Sequence, residues 1–129
     1  SKFMKKRDLK IFYIIASLIW MGLIFWESAI GDYSSVPGAK DGHNDFLSSI
    51  VHVLSYLILC FLFIKSFIVS GVERNKSIIY GFLLASLYGI TDEWHQYFVP
   101  GREMHFGDWL LDVAGSFIVF SFYKYFGRK

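Results

Sequence analysis

The sequence predicts an all-α protein, a bundle of four transmembrane helices with both termini on the cytoplasmic side. Three observations carry this. The chain of 129 residues is 54% hydrophobic and 19% charged, with a mean hydropathy of +0.42, against about 45–50% apolar and about 25% charged in soluble domains. Its apolar residues form continuous runs rather than amphipathic stripes, and its basic residues gather on alternate breaks between the runs. The aromatic and aliphatic load excludes disorder, and a single cysteine, Cys60, excludes a disulfide scaffold.

The first span, about residues 10–27, contains sixteen uncharged residues from Ile11 to Trp26, closed by Lys10 and Glu27. It reads as an anchor rather than a cleaved signal peptide, because Trp26-Glu27-Ser28 is a poor small-residue cleavage site. Ser1-Lys2-Phe3, ahead of Met4, reads as a cloning remnant. The second span, about 50–70, carries His52, Tyr56 and a late Lys65 that can snorkel to an interface. The third, about 77–98, is apolar through Ile90 and then changes to Thr91-Asp92-Glu93-Trp94-His95-Gln96. The fourth, about 108–126, has Asp112 near its start and Tyr123-Lys124-Tyr125 at its far end. Four helices of about twenty residues account for most of residues 1–129 and leave room for a single membrane domain.

With four spans, Lys2, Lys5, Lys6, Arg7, Lys10, Lys65, Arg74, Lys76, Lys124, Arg128 and Lys129 share one side, and only Lys40 and Arg102 lie on the other. The positive-inside rule then makes the termini cytoplasmic. Acidic residues distribute the opposite way: Asp8 and Glu73 lie inside, and the remainder sit in outer loops or at outer helix ends. Nucleic-acid binding gains no support, since topology explains the basic residues. Gly81, Ala85 and Gly89 recur at four-residue spacing, a small-residue ridge for close helix packing.

Folding the spans back and forth brings His52 and Tyr56 level with Asp92, Glu93, His95 and Gln96 and with Asp108 and Asp112. Asp92, His95 and Gln96 share one helix face at i, i+3 and i+4, with Glu93 turned about 100° away. Ionisable groups at membrane depth usually face a bundle interior or a cavity and pair with one another. Arg102, in the turn between the third and fourth spans, is the strong cation nearest these carboxylates. His52, Asp92, His95 and Asp112 are candidate ligands for zinc or a similar ion, although no HExxH or paired-cysteine spacing accompanies them. His52 or His95 with Asp92 or Glu93 are candidate catalytic groups for general acid–base work. Tyr56, Gln96, Arg102, Asp108 and Asp112 are candidate binding residues. A purely structural network tying the hairpin of the last two spans together uses the same residues. His43 and His105 read as solvated loop residues. No nucleophile elbow, Walker loop or dinucleotide fingerprint is present in the sequence.

Trp26 to Ser28 closing a first span, His52-x3-Tyr56, Tyr88-Gly89-x-x-Asp92-Glu93-x-His95-Gln96-x-Phe98-Val99-Pro100-Gly101-Arg102 and Asp108-x3-Asp112-x-x-Gly115 together resemble the VanZ-like family of small bacterial membrane proteins. The resemblance covers all four spans. It implies a multi-pass protein of the plasma membrane, linked to resistance to teicoplanin, a lipid-tailed glycopeptide that acts outside the membrane. It also implies polar family positions at His52, Asp92, Glu93, His95, Gln96, Arg102 and Asp108. Two departures make this chain's site more acidic: Ser49 stands where the family commonly has lysine, and Asp112 where it often has asparagine.

The expected function is recognition of a lipid-linked cell-wall precursor or a lipid-tailed molecule, with membrane lipids as neighbours, by a polar site facing outward. An intramembrane hydrolase or transferase acting on an envelope lipid, metal-assisted or not, is the alternative. An assembly or scaffold subunit is a third reading.

Overall fold

A computed structural model describes residues 5–29, 42–98 and 106–126. Among them are four helices and no strand: α1 (Lys6–Ala29), α2 (Gly42–Val69), α3 (Arg74–Tyr97) and α4 (Phe106–Phe126). Consecutive helices run in opposite directions. Gly81 of α3 packs on Ile64 of α2, Gly115 of α4 on Val53 of α2, and Phe25 of α1 beside His95 of α3. Lys6–Glu27 and Ser49–Val69 are long and apolar enough to cross a membrane. The other two helices carry acidic groups, and Asp92 and Glu93 of α3 and Asp112 of α4 are buried inside the bundle rather than exposed on it.

α2 begins eight residues before the apolar run that marks it in the sequence, because helix continues beyond the residues that need hydrocarbon. His43, expected in a loop, therefore belongs to α2. His105 lies outside the described residues. At the opposite end, α2 closes through Gly71, whose φ of 95° suits a residue without a Cβ. The Glu73 carboxylate then accepts hydrogen bonds from the backbone N–H groups of Asn75 and Lys76, at 3.1 and 3.2 Å, and so caps α3. The Arg74 guanidinium donates to the Tyr123 carbonyl at 2.8 Å, tying this end of α3 to the end of α4.

α2 is the central element and touches each of the other three helices, whereas α1 packs only on α2 and α3. Tyr56, Leu59, Cys60, Phe63, Ile64, Ile78, Ala85 and Val119 form the buried core. The outside is also apolar: Phe12, Leu18, Ile19, Trp26, Leu87, Phe117 and Phe122 are all exposed. Water-soluble monomers rarely carry so large a contiguous apolar surface.

When the surroundings are as apolar as the side chains, helices associate through close packing and interhelical hydrogen bonds. Both are present here. The Trp20 indole donates to the Ser55 carbonyl at 2.8 Å, the Tyr88 hydroxyl to the Met21 carbonyl at 2.7 Å, and the Trp109 indole to the Ser86 carbonyl at 3.0 Å. Small residues set the close approaches. A Cβ at Gly81 would run into Ile64, and one at Gly115 into the Val53 carbonyl oxygen.

Gly115→Ala should therefore push α4 off α2 at a cost of about 1–3 kcal/mol, the usual range for overpacking. Gly22→Ala, at a site with nothing within 4 Å, should leave stability unchanged or raise it by up to about 1 kcal/mol. Thiol labelling of buried Cys60 during heating in detergent reads both, with earlier labelling expected only for Gly115→Ala.

Candidate functional site

Three helices deliver ionisable side chains to one depth. α2 supplies His52, which lies three residues into the apolar run beginning at Ser49. α3 supplies Asp92 and Glu93, about 7 Å of helix before its end at Tyr97. α4 supplies Asp112, about 9 Å after its start at Phe106. His52, Asp92, Glu93 and Asp112 are 3%, 4%, 4% and 0% exposed, and one ligand atom from each falls within 4.8 Å of all the others.

His52 Nδ1 and Asp112 Oδ1 are 2.7 Å apart. With the ring proton on Nδ1, the imidazole donates to the carboxylate and its Nε2 is left with a lone pair pointing away from Asp112. His52 Nε2, Asp112 Oδ2 and both oxygens of Glu93 are buried and have no hydrogen-bond partner among the described residues. Gly89 makes this approach possible: a Cβ there would lie 3.0 Å from Asp112 Oδ2 and 3.2 Å from the Trp109 ring. Tyr56, one turn along α2 from His52, is buried with its ring centroid 6.3 Å from that of Tyr88. Asp108, one turn before Asp112 on α4, lies outside the group of four.

The structure revises two expectations from helix spacing. Glu93, expected to point away, joins the group, and His95, expected within it, stacks on Phe25 with ring centroids 4.0 Å apart. Helix geometry explains both. Adjacent residues are about 100° apart and residues three apart about 300°, so a centre lying between Asp92 and Glu93 leaves His95 on the flank that faces α1. Gln96 belongs to α3 by its backbone, with its side chain outside the described atoms, and Arg102 lies outside the described residues. Ser116, one turn after Asp112, was not singled out, yet it is fully buried with no hydrogen-bond partner for its hydroxyl among the described residues. The spacing Asp108-x3-Asp112-x3-Ser116 is the signal that could have found it.

A groove of about 190 Å³ lies between α1 and α2 toward the same end, lined by Trp20, Leu23, Ile24, Trp26, Glu27 and Ser55. The described lysines and arginines of all four helices lie at the opposite end of the bundle. A histidine among carboxylates can orient a base, hold a proton or bind a divalent ion. Without cysteine in the group, the donor set suits zinc or a related ion.

A helical bundle that is apolar outside and holds an ionisable group inside has the build of an integral membrane protein. The chain belongs to the VanZ/LLP1 family, whose model matches residues 11–127, and that family is linked to teicoplanin resistance. No curated protein and no solved structure matches the chain.

Removing one member of a buried pair leaves the other stranded, which usually costs about 3–5 kcal/mol when the partner is charged. Asp112→Ala should therefore lower the unfolding temperature clearly. Asp112→Asn keeps an acceptor for His52 and should lose less than half as much. The two losses are compared by heating each variant in detergent and following Cys60 labelling; equal, negligible losses would remove the pair from any structural role.

Proposed function

We propose that this chain is a four-span protein of the bacterial plasma membrane with cytoplasmic termini. Its His52–Asp92–Glu93–Asp112 group is the polar end of an outward-facing site for a lipid-linked or lipid-tailed envelope molecule. The observation that carries this is the meeting of four ionisable side chains from three helices at one buried depth. Such groups are expensive in an apolar bundle and mark function more often than packing does. The groove between α1 and α2 supports the reading by offering an apolar slot beside the polar end, as suits a ligand with one wet end and one oily end. The basic residues at the other end support cytoplasmic termini.

In this reading Tyr56 and Asp108 shape the polar end, Gln96 and His95 line its margin, and Arg102 from the α3–α4 connection meets an anionic headgroup. Teicoplanin protection then follows from the handling of either the lipid-tailed drug or the lipid-linked precursor on which it acts. One observation favours a second reading, an intramembrane hydrolase or transferase. His52 is held by Asp112 at 2.7 Å with Nε2 unpartnered among the described residues, the arrangement of an oriented base.

Two measurements test this. In intact cells a membrane-impermeant maleimide should label Lys40→Cys, whereas Lys5→Cys should react only after permeabilisation, with buried Cys60 silent throughout; the reverse pattern sinks the outward orientation. Glu93→Gln and His52→Gln, present in the membrane at wild-type levels, should abolish teicoplanin protection. Full protection from both would show that the group is not the recognition site. Turnover of an extracted envelope lipid by wild type but not by His52→Gln would favour the enzyme.

A further inference from the structure

We propose that His52, Glu93, Asp112 and Asp92 form a binding site for one divalent transition-metal ion, zinc being the ion the donor set fits best. The geometry comes first. All four ligand atoms lie within 4.8 Å of one another. Donors around a tetrahedral ion at about 2.0–2.2 Å lie about 3.3–3.6 Å apart, so side-chain rotations that bring the widest pair together by about 1–1.5 Å close the shell.

The second observation is the set of unused donor atoms. Asp112 Oδ2 and both Glu93 oxygens are buried with no hydrogen-bond partner among the described residues. Protonation does not cure this, because a carboxylic acid O–H buried among acceptors satisfies one neighbour and leaves the others bare. One cation satisfies atoms from α2, α3 and α4 together and offsets the mutual repulsion of the carboxylates. His52 Nδ1 and Asp112 Oδ1, 2.7 Å apart, stand side by side as neighbouring donors of one ion would, with the ion in place of the proton they share.

A ligand set of one histidine and carboxylates, with no cysteine, selects zinc, manganese or iron(II) over copper(I). Its histidine and its burial disfavour magnesium, which keeps several waters. The inference rests on the cluster and not on the lipid reading, and the two fail independently.

The test uses the full chain, purified in detergent after removal of any affinity tag, stripped with a chelator and dialysed against zinc chloride or cobalt(II) chloride. Elemental analysis should find about one ion per chain, and cobalt should give visible absorption of a nitrogen- and oxygen-ligated ion. Zinc should delay the thermal labelling of Cys60 in the wild type. Glu93→Gln should weaken binding at least tenfold, and Glu73→Gln, at the other end of the bundle, should bind as wild type does. Should a variant fail to fold, the wild-type stoichiometry decides alone. Wild type that retains no ion after dialysis, or a His52→Gln/Glu93→Gln chain that binds as tightly as wild type, overturns the proposal.

Discussion

The bond between His52 and Asp112 is the constraint around which the bundle is arranged. It joins α2 to α4 across an apolar interior, where each group would be costly alone. Satisfying it requires the two backbones to approach closely, and Gly115 provides that by letting α4 lie against the Val53 carbonyl. It also requires α3 to yield space at the same depth, which Gly89 provides beside the Asp112 carboxylate. The small residues and the polar group are therefore parts of one device. Helices brought this near cannot slide relative to one another without separating the pair, so helix register and site geometry are set by the same contacts.

α1 stands outside this device. It contributes no member of the polar group and reaches the bundle through buried Ile24, a hydrogen bond between the Ser17 and Ser66 hydroxyls, and bonds to two backbone carbonyls, Trp20 to Ser55 and, from α3, Tyr88 to Met21. Its sixteen uncharged residues from Ile11 to Trp26 present apolar surface on every side, as suits a helix with lipid around most of its circumference. Phe25 stacks on His95 at the end nearest the polar group, so α1 closes the flank that the three inner helices leave open. The groove between α1 and α2 is the consequence of this looser attachment.

Much of this was legible in the residues. Four helices follow from four apolar runs, since a run's length and composition are local properties. Membership of His52, Asp92 and Asp112 in one group follows from the up-and-down order, which places their depths at one level whatever the crossing angles. What spacing could not resolve was azimuth. Asp92 and His95 do share a helical face in isolation, but the bundle axis passes between Asp92 and Glu93, and only the rotation of α3 about its own axis decides that. Hydropathy sets the start of α2 too late because it marks where hydrocarbon is needed, and residues 42–49 are helical outside the continuous apolar run. Gly89 was read correctly as a small residue for packing. That it makes room for a carboxylate rather than another helix's aliphatic side chain depends on the register of α4, which no local pattern carries.

The two departures that the resemblance implies, at Ser49 and Asp112, lie near His52 in sequence or in space and act in one direction. A lysine in place of Ser49 would stand one turn from His52, and an asparagine at 112 would offer His52 an acceptor without a charge. By that resemblance the chain lacks a cation at 49 and carries an anion at 112, and Asp112 is fully buried. An amide can hydrogen-bond an imidazole, but it neither stabilises the protonated ring nor holds a cation as a carboxylate does. The substitution therefore changes what the site can accept. A pocket with three carboxylates repels a phosphate-bearing headgroup unless positive charge is brought in, and the described lysines and arginines of the helices are a bundle length away. Either Arg102 reaches in from its connection or a bound cation supplies the charge from within. The Glu93 oxygens, buried and without a hydrogen-bond partner among the described residues, lie in the same group as His52, Asp92 and Asp112, where one cation would serve atoms from all three helices.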